Sequence, residues 1–449
     1  MIDHIAVIGG GFSGALHAIN LLRYAGPRVT LIERETPGEG LAYGAADDEH
    51  LLNVRASNMS AFPDRPNHLV DWLTARGVED AAGAFIPRTL YGTYLREMLA
   101  QTEREFAGRL TIVRGDAVDM TFNGTVTILL AGGRTVEADA ASLALGNLPP
   151  HTPRPIDPTA LPEGSYWQDP WDPGATMGLG PQDTVLIIGT GLTMVDMALL
   201  LAKRGFAGPI HALSRRGLLP RPHASDPRPS DTRQEKPTTI VSELVRETRE
   251  RARKVGWRHA VDELRPFTQP IWRSADAEQK SRFLRHLRAW WDVHRHRLAP
   301  QVDARLCSMI ASGQLSVHAG KMISAERADK GVEVAWRVRG TDRIEHVVAT
   351  RIINCTGPEG DLGSTKEPLL RRLMERGLIR PDACGIGIDV NAQAQVIAAN
   401  GEANPRLLAL GPLTRGAFWE INAVPDIRGQ VWDIARRLSN AHWVGGEGL

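Results

Sequence analysis

Apolar and polar positions follow the same succession of periods at two places in this chain. An apolar run over His4–Ile8 leads through a glycine turn at 9–14 into residues 15–23, where apolar positions recur at helical spacing, and then into a second apolar run over Arg28–Glu33. The succession returns as the run 184–188, the turn 189–193, the helical stretch 194–204 and the run 209–214. Short continuous apolar runs closed by glycine predict strands buried on both faces, so each unit reads as strand, turn, helix, strand. Further short strands are predicted at 111–113, 126–130 and 141–145, and the proline-rich stretch 149–173 reads as a linker. No repeat and no low-complexity tract interrupts this pattern.

Beyond the second unit, a polar, proline-rich loop at about 221–237 precedes a helical block. Ser274 is a candidate cap for its clearest helix, with Asp276 and Glu278 near the positive end. Phe283, Leu284, Leu287, Trp290, Trp291, His294 and Leu298 then recur at helical spacing until Pro300 ends the pattern. The aromatic positions of that helix are expected in a core. The chain returns through strands at 332–338, Arg351–Asn354 and 406–410. The pattern predicts an α/β protein with two Rossmann-like dinucleotide-binding domains in three layers. The second is inserted in the first and carries a helical subdomain: residues 1–165 form the first part, 166–345 the second domain with its insert at about 223–300, and 346–449 the remainder.

Composition changes this picture little. With 449 residues, 42% hydrophobic, 23% charged and a net charge of +1, the chain has material for more than one core and no excess charge to name a partner. The charge is segregated, however: residues 203–298 hold 22 Lys and Arg against 11 Asp and Glu. The N-terminus has no basic, apolar leader and no run of roughly 18 apolar residues occurs, so a cytoplasmic protein without a membrane span is expected. Cys307, Cys355 and Cys384 fit neither a CxxC pair nor a zinc ribbon. His294 and His296, two apart on a predicted helix, point to different faces, and no metal site is expected. Nucleic acid is not an expected partner, because the basic segment suits solvent or nucleotide phosphates.

Gly9, Gly11 and Gly14 form GxGxxG between a strand and a helix, the arrangement that lets backbone approach a pyrophosphate at a helix N-terminus, with Phe12 and Ser13 inside the turn. Glu33 ends the next strand, where a carboxylate binds ribose hydroxyls and disfavours a 2′-phosphate, so FAD or NAD suits this unit. The second turn keeps Gly189 and Gly191, followed by Leu192 and Thr193, but has Met194 at the third position. Ser214, Arg215 and Arg216 stand where the first unit has its acid, and arginine forks pair with a 2′-phosphate, which favours NADPH.

The strings GGGFSG at 9–14, GLAYG at Gly40–Gly44, LLNVRASNMS at 51–60 and IPRTLYGTYL at 86–95 resemble FAD/NAD(P)-binding proteins of the bacterial YdhS type. SRRGLLPRPH at 214–223, INCTGPEGD at 353–361 and GPLTRGAFWEINAVPDIRGQ at 411–430 extend the resemblance over nearly the whole chain. It implies a flavoprotein with two dinucleotide folds, similar to class B and N-hydroxylating flavin monooxygenases and to pyridine-nucleotide flavin reductases. FAD would be held by Gly9, Gly11, Gly14 and Glu33, with Arg55, Asn58 and Met59 near the flavin, Gly411 and Trp419 on the C-terminal side, and Arg88 and Tyr91 as further candidates. Relatives close one strand with Ala-Thr-Gly. Here Ala144, Leu145 and Gly146 stand before the linker, while Thr356 and Gly357 keep more of that motif. The histidine of the phenylalanine-glycine-histidine fingerprint of class B enzymes is absent, the comparable stretch holding Pro162, Gly164 and Gln168. The expected partners are NADPH, molecular oxygen and a small amine or amino acid, with Arg273 of the basic segment as its anchor. The sequence assigns no catalytic residue, and a flavin reductase without oxygen insertion and a flavin-binding sensor are the alternatives.

Overall fold

The computed structural model describes residues 2–24, 26–224 and 235–439. The expected loop at 221–237 therefore lies partly outside the described residues. The chain forms two compact units, one of residues 1–46, 55–148 and 360–449 and one of residues 47–54 and 149–359.

In the first unit a six-stranded sheet has the order Gln395–Ile397, Ala403–Ala409, Ala140–Leu143, His4–Ile8, Arg28–Glu33, Leu110–Arg114. All its pairings are parallel except that of the outer Gln395–Ile397 strand. His4–Ile8 is central, and its neighbours lead away in opposite directions through the chain, which opens a crevice at the strand ends where the glycine turn lies. A separate three-stranded antiparallel sheet, Ala117–Asn123, Thr125–Leu130 and Thr135–Ala138, connects Leu110–Arg114 to Ala140–Leu143.

The second unit repeats this plan. Arg351–Asn354, Val185–Ile188, Ile210–Ser214 and the start of Leu315–Ala328 lie side by side in parallel. The far half of Leu315–Ala328 turns antiparallel to Gly331–Val338, which pairs with Ile344–Ala349, so the sheet and its meander share one long strand. The described helices of the insert lie between Val241–Val255 and Pro300–Ala311.

The sequence-based boundaries at 165/166 and 345/346 differ from the observed divisions at 148/149 and 359/360. The supposed linker packs into the second unit: Ile156 and Leu161 are buried with Leu186, Leu213, Trp336 and Ile352, and Tyr166–Trp167 pairs with Arg351–Asn354. The expected helix over 274–298 is two helices, Ala277–His286 and Arg288–Arg295. Its cap is Asp276, whose carboxylate accepts from Gln279 N at 2.7 Å, whereas Ser274 closes the preceding helix by donating to Ile271 O. Pro300 opens a helix at its first position, where the missing N–H costs nothing. Trp290 is 45% exposed and so is no core residue; Val293 is the buried position of its helix.

His17 lies inside the helix Phe12–Arg23, fully buried, with Nε2 3.3 Å from Ser142 Oγ. Burial lowers its pKa to about 4. The folded state thus refuses a proton that the unfolded chain accepts. The contribution is complete above the ordinary histidine value and lost as pH falls toward 4, by about 3 kcal/mol. His17→Gln should flatten the fall in urea-unfolding free energy between pH 7 and pH 4.5; an unchanged slope would refute this.

Candidate functional site

The first turn is shaped by close backbone contacts. Gly9 has φ +97°, its N–H donates to Ile32 O at 2.9 Å, and a Cβ there would stand 2.4 Å from Ala144 O. A Cβ on Gly14 would lie 1.8 Å from Gly9 O, so the third glycine is what lets the helix pack onto its own turn. Gly11 differs: its Cβ would meet only Gly40, at 3.4 Å and beyond, leaving an open cradle. The helix Phe12–Arg23 begins here with no side-chain cap and no acid in its first turn, which leaves its N–H groups and positive pole for an anion.

Glu33 closes the cradle. Its Oε2 accepts from Gly10 N at 2.5 Å and its Oε1 from Glu35 N at 2.8 Å, and an ionised carboxylate keeps further lone pairs for ribose hydroxyls. From the C-terminal side, Gly411 sits so close that a Cβ would be 2.4 Å from Ser13 Oγ, and its N–H donates to Gln430 Oε1 at 2.8 Å. Gly9, Gly11, Phe12, Ser13, Gly14, Glu33 and Gly411 thus come together at one helix end.

Arg55, Asn58 and Met59 lie on or beside the short turn Ala56–Asn58. Arg55 Nη1 donates to Gly83 O at 2.7 Å with its guanidinium 4.9 Å from the Phe85 ring, Asn58 is exposed, and Met59 is buried with its carbonyl accepting from the Tyr91 hydroxyl at 2.9 Å. Tyr91 in turn lies 6.3 Å from Phe12, which links this group to the turn. Arg88 is the first residue of the helix Arg88–Glu105, and Trp419 is buried between Gly411–Thr414 and Val424–Leu438 along the chain.

The second unit reproduces the geometry with different side chains. Gly189 has φ +113°, donates to Leu213 O at 2.8 Å, and a Cβ there would stand 2.2 Å from Cys355 O. Cys355, Thr356 and Gly357 therefore stand to this turn as Ala144, Leu145 and Gly146 stand to the first, with Gly146 and Gly357 both at positive φ. Thr356 and Gly357 belong to the second unit's cradle and not to the first. Gly191 caps Leu192–Lys203, and a Cβ there would find no atom within 4 Å. Thr193 lies in that helix's first turn, and Met194 is wholly buried where the first unit has Gly14. In place of the Gly10–Glu33 bond, Thr190 Oγ1 lies 2.9 Å from Ser214 Oγ and donates to Leu218 O at 2.7 Å.

The two arginines after Ser214 part company. Arg216 donates from Nη1 to His286 O at 3.0 Å and from Nη2 to Arg285 O at 3.2 Å, capping the carbonyl end of Ala277–His286. Arg215 is exposed, and Arg339 Nη1 donates to its carbonyl at 3.3 Å, which brings a second guanidinium beside it. Arg273 is exposed on Thr268–Ser274, with Nη2 3.4 Å from Gln269 Oε1. Sequence reading missed Gly10, Gly40, Thr190 and Gln430; the glycine between two cradle glycines was a usable signal for the first, while the others are set by tertiary approach. None of the three cysteines forms a disulfide, and burial pushes the Cys355 thiol up. Among the described residues there is no group of three or more metal-ligating side chains, and no helix long and apolar enough to cross a membrane.

Residues 6–148 match a family model described as FAD-NAD(P)-binding. The fold is that of FAD/NAD(P)-binding flavoenzymes. Among solved structures of that flavoenzyme fold, the L-lysine 6-monooxygenase of Pseudomonas syringae is similar at TM-score 0.66 and 16% identity, over 98% of this chain and 99% of that one. The ornithine N-hydroxylase of Kutzneria sp. 744, whose structure carries reduced FAD, NADP+ and L-ornithine, is similar at TM-score 0.61 and 14% identity, again over 98% and 99%. The thioredoxin reductase of Lactococcus lactis follows at TM-score 0.54 and 13% identity over the same shares. No curated protein matches the chain in sequence.

Proposed function

We propose that this flavoenzyme fold serves an NADPH-dependent FAD monooxygenase of the YdhS type that N-hydroxylates a small amine or amino acid. The observation that carries the reading is a pair of cradles built alike and differing in the side chain that selects the ribose: Glu33 in one, Ser214 followed by Arg215 in the other. The first suits the ADP half of FAD, held by Gly9, Gly11, Phe12, Ser13, Gly14 and Glu33, with Gly411 and Trp419 following. The second suits NADPH, held by Gly189, Gly191, Leu192, Thr193, Thr356 and Gly357, with Arg215 on the 2′-phosphate. FAD, when bound, would supply the two-electron redox chemistry that links NADPH to oxygen.

The chain's own part is placement. Glu33 would fix the ribose, the uncapped helix pole would offset the pyrophosphate charge, and the uncharged hydroxyl pair Thr190–Ser214 stands where the first cradle has its carboxylate. A disulfide reductase is not favoured, because Cys355 is buried with a raised pKa and no cysteine belongs to a CxxC pair. An NADPH:acceptor reductase is the second reading, favoured by the missing histidine fingerprint between Pro162 and Gln168. Incubating the FAD-loaded protein with NADPH, oxygen and a panel of amines separates the two: hydroxylated product matching NADPH consumed supports the monooxygenase, and peroxide alone with every amine overturns it. Flavin that NADPH fails to bleach would leave only a sensor role.

Arg273 in the basic segment is proposed to hold a substrate carboxylate. Arg273→Ala is then expected to raise the KM for the amino acid by about 10- to 100-fold, the worth of one charge-assisted bond. Flavin reduction by NADPH in single turnover should not change. Equal loss in both steps would mark Arg273 as structural.

A further inference from the structure

The sheet of the second unit ends on a strand with an open side. Ile344–Ala349 is the outermost strand, paired among the described residues with Gly331–Val338 alone, and that pairing runs without a bulge from Val332 opposite Ala349 to Arg337 opposite Ile344. At the hairpin end Val338 N donates to Arg343 O at 2.9 Å. Bonded and non-bonded pairs alternate along an antiparallel ladder, so Arg343, Glu345, Val347 and Ala349 turn their N–H and C=O groups inward. Those of Ile344, His346 and Val348 point outward, a row of open bonding groups of the kind that templates another strand. Edges of this kind are commonly blunted by lysine, proline or a bulge, and Ile344–Ala349 has none of the three.

The side chains of the outward-bonding positions are exposed as well, Ile344 at 51% and Val348 at 45%, with exposed His346 between them. Glu345 lies on the opposite face, that of Val347, which packs on the core, and Arg343 Nη2 meets its charge at 2.8 Å. The exposed face is patterned across the strands too. Facing positions place Lys321, Arg337 and Ile344 in one row and Glu326, Glu333 and Val348 in another, with His346 in the row between. All of these side chains are exposed. A positive row and a negative row thus flank the middle of the strand, and each reaches the edge on an apolar side chain.

We propose that this edge pairs with the same edge of a second copy of the chain, antiparallel, about a two-fold axis through His346. Ile344 then faces the second copy's Val348, His346 faces its own counterpart, and each facing pair exchanges both its hydrogen bonds. Registers centred on Glu345 or Val347 leave one outward position without a mate. The axis at His346 also continues the positive row of one copy into the negative row of the other. Three strand spacings, about 14 Å, separate Arg337 from the second copy's Glu333, so these charges orient the pair more than they hold it. A second copy suits the edge better than a foreign strand, because the edge complements itself in hydrogen bonding, apolar contact and charge. Three exposed side chains on one strand edge fall short of the roughly 1,200 Å² at which lasting interfaces begin, so the dimer exchanges at about micromolar concentration. Nothing in the pairing involves FAD or NADPH, and it holds whatever the two cradles bind.

Sedimentation velocity of the full chain from about 1 to about 500 μM tests the pairing, and the sedimentation coefficient should climb with concentration toward that of a dimer. His346→Pro removes an outward N–H and leaves the inward ladder intact, so it should give a folded monomer with the parent's melting temperature. Ile344→Glu and Val348→Lys each set a charge against an apolar side chain and should weaken association about tenfold. The double variant sets opposite charges in each facing pair and should recover most of that loss. A chain that stays monomeric throughout, or a dimer indifferent to His346→Pro, would overturn the proposal. So would a double variant that associates no better than the single ones, and this comparison decides the matter if the proline variant melts early.

Discussion

Gly11→Val is expected to purify folded and without flavin, whereas Gly14→Ala is expected to lose stability first. A side chain at Gly11 enters the open cradle and meets only Gly40 of the protein, so the fold has little reason to object. It stands where the pyrophosphate would meet the helix pole, and losing two charge-assisted bonds there would remove about 3 to 6 kcal/mol of FAD affinity. At Gly14 even a methyl would sit 1.8 Å from Gly9 O, and the helix must move off its turn at a cost of about 1 to 3 kcal/mol. Flavin content and melting temperature, measured on both variants, separate the effects. A folded Gly11→Val protein with full FAD would show that this turn is not the cofactor site.

Arg215→Ala should shrink the preference for NADPH over NADH by about 1.5 to 3 kcal/mol, roughly 10- to 100-fold in the ratio of kcat/KM. The change belongs in KM, because the 2′-phosphate is remote from the transferred hydride. Arg216→Ala should leave the preference alone and lower the melting temperature, since its guanidinium caps the carbonyls of Arg285 and His286. Equal use of both nucleotides by the parent protein, or a preference lost in Arg216→Ala and kept in Arg215→Ala, would reverse the assignment.

What could be read from the chain was what local chemistry dictates. The glycines at 9, 11 and 14 sit between strand and helix because only glycine tolerates those approaches, and the parallel strands are legible because both faces are buried. Arg216 read as a phosphate ligand because no sequence pattern announces that a helix 70 residues later ends against it. Pro300 read as a stop, although the same residue suits the first position of a helix as well as the end of one. The shared plan of the two units was half visible. Turn and flanking strands matched, but the meander after the third strand is a separate sheet in one unit and a continuation of Leu315–Ala328 in the other. The contacts among the rings of Phe12, Tyr43, Trp72, Tyr91 and Tyr94 were invisible because these residues come from separate stretches that only the fold brings together.

Residues 47–54 belong to the second unit although the first unit's chain resumes on either side of them. Asp47 pairs with Lys203 and Glu49 with Arg305, while His50 accepts from Asp47 N through Nδ1 at 2.9 Å and places Nε2 3.2 Å from Asp196 O. His223 Nε2 lies 2.8 Å from the carbonyl of Asn53. A clone spanning only 149–359 would therefore deliver the second unit with a missing piece, baring carbonyls and cations that the excised octapeptide contacts. Adding that octapeptide in trans turns the gap into a complementation assay, in which recovered solubility or nucleotide binding reports how far the unit depends on a segment encoded a hundred residues upstream of its main body.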